Sequence, residues 1–209
     1  MPPSGSWSGS GLVGALGGYL VLFGPLVLVP VALADSGVNA QHAGLALTAL
    51  PGGFALAATA GSSALPRALG LRGDRRRCQA GALLAAAALG ALATTPLALP
   101  ALTAGLAVLG VGLGLFTPAN NALIMAAIPA RSAGTGGGLV NLARGLGTAL
   151  GVALPVLTLH LADRLHHHGA GPHLAMAVLL LVVLAAMLTS TLVRGRGEDG
   201  AGTRATTRR

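Results

Sequence analysis

Residues 101–128 read ALTAGLAVLGVGLGLFTPANNALIMAAI, a run with no charged side chain. At ~1.5 Å of rise per residue, a helix this long outspans the ~30 Å hydrocarbon core of a bilayer. An outer-membrane barrel strand would show a short alternating pattern, whereas this run is apolar throughout. In hydrocarbon the backbone has to satisfy its own hydrogen bonds, so the stretch reads as a transmembrane helix.

Five further apolar runs lie on either side of it, at 12–34, 43–65, 79–95, 134–160 and 172–193, separated by short breaks rich in charge, Pro or Gly. The expected architecture is all-α, a polytopic membrane protein whose six transmembrane helices, residues 12–193, form one bundle in the lipid bilayer. Residues 1–11 read as a flexible polar lead-in and 194–209 as a disordered basic tail on the cytoplasmic side. Composition agrees, because 53% of the 209 residues are apolar and only 9% are charged. A soluble chain of this size could not hide so much apolar surface. The first run ends in Ala32-Leu33-Ala34, a small-residue pattern like a signal-peptide cleavage site. It is longer than a secretory core and no cation precedes it, so it is taken as a retained helix.

The formal charge of +8 would suit nucleic acid in a soluble protein, but aromatics make up only 2% of the residues and the arginines fall between apolar runs. No nucleic-acid partner is therefore expected. Lysine is absent and Ala, Gly and Leu dominate, which reads as the coding bias of a GC-rich bacterial genome. The arginines order the topology. With the N-terminus inside, Arg67, Arg72, Arg75, Arg76, Arg77 and Arg131 fall in inner loops, Arg194 to Arg209 in an inner tail, and Arg164 alone outside. That follows the positive-inside bias and predicts a multi-pass cell-membrane protein with both termini cytoplasmic. The single Cys78 excludes a disulfide within the chain.

Glycine and proline are unevenly placed. The first run carries Gly14, Gly17, Gly18, Gly24, Pro25 and Pro30, and the fourth carries Gly105, Gly110, Gly112, Gly114 and Pro118, while the third and sixth are plainer. Two triplets follow, each opening with a broken helix and closing with a plain one, the arrangement in which transporters build their sites. In the fifth run Gly147 and Gly151 form a small-xxx-small face. Asn141 and Arg144 are three apart and share another face. Arg144 lies ten residues into that run, which at ~1.5 Å per residue places it about 15 Å deep, near mid-bilayer, if the helix begins where the apolar run does. A later start would leave it snorkelling to the interface.

The stretch 110–121, GVGLGLFTPANN, resembles the glycine-rich helix, ending in a proline and asparagines, of the major facilitator superfamily, in particular of its fourteen-helix multidrug and proton antiporters. Residues 133–151 are similar to the next helix of the same half, and 43–51 to its second helix. The resemblance implies the C-terminal half of such a transporter, with a missing N-terminal half of six or eight helices as partner, or else a second copy of this chain. It also implies proton-coupled efflux of drugs or other small lipophilic or cationic substrates. By the same resemblance Tyr19, Phe23, Phe116, Asn120 and Asn121 are expected to line a substrate cavity, and Asn141, Arg144, Gly147, Gly151 and Pro118 to act at a gate or interface. The loop 65–70, LPRALG, departs from the family's gating loop by lacking its acid.

No cofactor or metal is expected. His166, His167, His168 and His173 lie near His160 and Asp163, but read as a solvated loop without helical ligand spacing. No nucleophile, base and orienting group are grouped at one depth, so an enzyme is not expected.

Overall fold

The computed structural model describes residues 6–60, 73–95, 98–164 and 171–185. Six α-helices lie among them: α1 Ser6–Asp35, α2 Ala40–Ala60, α3 Asp74–Thr94, α4 Leu99–Ala127, α5 Ala133–Arg164 and α6 Gly171–Ala185. The first five are long and apolar enough to cross a membrane. The protein is a polytopic all-α membrane bundle. A single 3-10 turn, Ala130–Ser132, joins α4 to α5. Residues 1–5, residues 61–72 with the loop 65–70, Arg67 and Arg72, His166 to His168, the end of the sixth run at 186–193 and the tail 194–209 lie outside the described residues.

Helix α1 starts at Ser6 and so takes in part of the segment read as a flexible lead-in. Its far end is closed by Gly37 at φ 73°, the left-handed conformation that glycine adopts without strain. There the Gly37 N–H returns to Ala34 O and the Val38 N–H to Leu33 O, each at 3.0 Å, the pattern of a Schellman cap. Asn39 then caps α2, its Oδ1 accepting the Gln41 N–H at 2.9 Å. Four residues, 36–39, reverse the chain with both helix ends capped, as suits a helical hairpin in lipid.

Packing does not keep the two sequence triplets apart. Helix α4 is sandwiched between α2 and α3, while α1 lies along α5 and is tied more lightly to α4. A β-carbon on Gly24 of α1 would meet the Leu179 side chain of α6, and His173 Nδ1 of α6 lies 3.1 Å from Ala93 O of α3. The opening helix of each triplet thus packs on the middle helix of the other, with α3 and α6 outside them. The main core holds Leu28, Leu33, Leu50, Leu89, Leu106, Leu109 and Leu179, all with 0% exposure. A smaller cluster of Ala15, Ile124, Val140 and Ala143 joins α1, α4 and α5 toward the end that carries Arg131.

Glycine sets the distances between helices. Gly110 and Gly114 of α4 lie against the Leu50 and Phe54 carbonyls of α2, so closely that neither has room for a β-carbon. Gly147 and Gly151 of α5 meet the Leu16 and Leu20 carbonyls of α1 in the same way. Where lipid supplies no hydrophobic drive between helices, backbone contact of this kind supplies the packing.

Candidate functional site on α1, α4 and α5

Three strips run along α1. Gly11, Gly14 and Gly18 face α4, where they meet Ile124, Asn120 and Phe116 in turn. Leu16 and Leu20 face α5. Between these two faces lies a half-buried strip of Leu12, Tyr19, Phe23, Leu26 and Pro30. It is the open side of α1, flanked by α4 and α5, and it carries two of the expected cavity residues four apart on one face.

The Arg144 guanidinium carbon stands 4.7 Å from the centre of the Tyr19 ring. This cation–π contact unites one expected cavity residue with one expected gate residue. It also satisfies the rule that a cation within a transmembrane helix faces protein rather than lipid. No carboxylate pairs with Arg144 among the described residues. The register gives its level on α1. Gly147 lies opposite Leu16 and Gly151 opposite Leu20, so Arg144 is level with Val13. That is about 12 Å from the middle of α1, toward the Arg131 end, at ~1.5 Å per residue. The expectation of a mid-bilayer arginine counted from the start of the apolar run in α5, whereas this level is counted along α1, against which α5 is set lower. The side chain reaches from this level toward the middle of α1 and the ring.

The other expected residues divide. Phe116 is a packing residue: a β-carbon on Gly18 would lie 3.1 Å from its ring, and its backbone rests on Gly81 of α3. Asn120, 6% exposed, clasps two helices, its Nδ2 donating to Gly11 O at 3.0 Å, with Gly14 leaving room for the amide. A ring and an amide at these levels of α4 have α1 directly in front of them. Asn121 Oδ1 is buried without a hydrogen-bond partner. Pro118 and Asn141 are exposed. Gly147 and Gly151 are consumed by α1 of the same chain and leave no face for a second bundle.

The acceptor carbonyl of Gly11 was missed, and so was Thr117, 8% exposed beside Gly18. The spacing Gly11, Gly14, Gly18 is a readable helical stripe, but nothing in sequence says that α4 covers it. Among the described residues no group of three metal-ligating side chains comes together.

The sequence profile of the Major Facilitator Superfamily matches residues 2–152, from α1 into α5. With most of the chain matched and the helical bundle in place, the protein belongs to this superfamily of membrane transporters. No curated protein matches it.

Proposed function

We propose that this chain is one bundle of a major-facilitator exporter, corresponding to its C-terminal half. In this reading it carries out proton-coupled efflux of drugs or other lipophilic compounds only with a second bundle. The observation that supports this most is the pair of open small-residue faces on α2 and α5. Gly44 and Gly52 on α2, and Gly134, Gly138 and Gly145 on α5, have nothing within 4 Å of a β-carbon position. Such faces suit close helix–helix approach in lipid. Alternating access works by rocking one bundle against another around a site between them, and α5 borders the open strip of α1.

The carboxylates support the same reading. Asp35, Asp74 and Asp163 stand in the terminal turns of α1, α3 and α5, so the protonating acid of a relay comes from the partner bundle. This bundle contributes the aromatic faces of Tyr19 and Phe23 to a lipophilic substrate. The Arg131 end is cytoplasmic in this reading. Arg75, Arg76, Arg77 and Arg131 lie at that end of the helices and Arg164 at the other, as the positive-inside bias requires.

The test is efflux of a fluorescent cationic dye from energised vesicles. Gradient-dependent efflux by co-expression with an upstream half, and none by the chain alone, is the expected result. Efflux by the purified chain alone would favour a dimer of identical bundles, since both open faces are present on each copy. No efflux in either case would overturn the proposal.

A further inference from the structure

Beneath the first turns of α5, where the chain passes from α4 through the 3-10 turn, the bundle holds a cavity of about 300 Å³, open to its surroundings. Ile124, Ile128 and Leu139 form its apolar wall, and Arg131, Ser132 and Thr135 its polar rim. Arg131 is the one charged side chain in the lining, which holds no carboxylate. The rim therefore complements an anion, and the wall an apolar chain attached to it.

The wall does not stop at the cavity. Leu139, Leu146, Leu150 and Leu157 recur on one face of α5 and are 46%, 49%, 39% and 54% exposed. From Leu139 to Leu150 this track covers about 16 Å of helix, roughly the depth of one leaflet of a ~30 Å core. Asn141 and Arg144 lie on the opposite side of α5, so the track is separate from the strip that faces Tyr19. A cationic rim at the interface, a small apolar hollow and a leaflet-deep apolar track are the three parts that a headgroup and its acyl chain need.

From this geometry we infer that the Arg131 cavity is a binding site for an anionic phospholipid of the leaflet on the arginine-rich side. The phosphate is held by the Arg131 guanidinium, which offers paired N–H donors, and by the Ser132 and Thr135 hydroxyls. One acyl chain lies in the hollow and along the leucine track. This inference is independent of the transport reading above.

The experiment is lipid retention by the full chain, purified from mixed micelles containing phosphatidylglycerol and phosphatidylcholine in equal amounts, and read by native mass spectrometry. Phosphatidylglycerol should be retained in preference. R131Q should lower that preference at least about fivefold, in keeping with the attraction of one surface arginine to anionic lipid. R164Q, at the other end of α5, should leave it within about twofold. Arg131 is exposed, so R131Q is expected to fold, and T135V with Ser132→Ala gives a second route to the same loss. Equal retention of the two lipids, or equal losses in R131Q and R164Q, would overturn the site. So would full displacement of the lipid by excess inorganic phosphate, because that would mark a site for a soluble anion.

Discussion

The α2–α4 seam and the α1–α5 seam are built from the same part. In each, two glycines four residues apart meet two carbonyls four residues apart on a parallel neighbour: Gly110 and Gly114 on Leu50 and Phe54, and Gly147 and Gly151 on Leu16 and Leu20. Their surroundings differ. Helix α4 is gripped from a second side, where Gly112 meets Gly81 and Ala85 of α3, and α2 answers with Gly53 against Ala107 O. Helix α5 has no second glycine–carbonyl seam among the described residues. In their most apolar windows 39% of α4 is buried and only 22% of α5. Elements with few buried contacts are the ones that open or shift most readily. One motif thus makes a fixed pillar in α4 and a more loosely held element in α5, and the cation–π contact of Arg144 on Tyr19 sits at the loose seam.

The largest effect should come from breaking the fixed seam. Gly110→Val drives a branched side chain into the Leu50 carbonyl, with neighbours on both flanks that cannot retreat. A loss of about 3 kcal/mol, the upper part of the usual overpacking range, is expected in detergent melting. Gly147→Val should cost about half as much, because α5 can move away, and Gly145→Val, on the open face, should change little. A larger loss for Gly147→Val than for Gly110→Val would remove the distinction between the seams.

A smaller effect is expected at the polar contact. In a double-mutant cycle, Arg144→Leu and Tyr19→Leu should couple by about 1 kcal/mol, the range for a partly shielded cation–π pair. Tyr19→Phe keeps the ring face and should retain most of the coupling. Its complete loss in Tyr19→Phe would show that the hydroxyl, and not the ring, holds the guanidinium. In the assembled transporter Arg144→Leu should reduce efflux more than Arg131→Leu, and equal tolerance would mean that Arg144 only snorkels.

The smallest effect concerns two adjacent asparagines. Asn120→Leu loses the bond to Gly11 O and crowds Gly14, and about 1 kcal/mol should follow. Asn121→Leu removes a buried acceptor that has no partner and should be neutral or slightly stabilising. Thermal midpoints in one detergent would rank them, and the reverse order would show that Asn121 has the working contact.

The orientation can be tested without transport. In a Cys78→Ser background, Asn39→Cys in the α1–α2 turn should react with an impermeant thiol reagent in intact cells, and Ala130→Cys should not. Labelling at Ala130 would invert the topology.

The sequence by itself determined the solvent, the secondary structure and the family. Long runs of Ala, Leu, Gly and Val leave only lipid and only helix, because hydrocarbon offers no partner for an open backbone. The asparagines and glycines at 110–121 and 133–151 carried the family resemblance. What only the tertiary structure decided is which residues meet. A glycine stripe states that something approaches and not what approaches, so Gly147 and Gly151 read as a face for another bundle until Leu16 and Leu20 of the same chain were seen to occupy it. A position counted along one helix is likewise blind to how far its neighbours are displaced along their axes, and only the packing shows that Arg144 stands level with Val13 of α1. Phe116 and Asn120 carry no mark in sequence that α1 packs against them, since a helix has the same periodicity on every face and only packing gives each face its occupant.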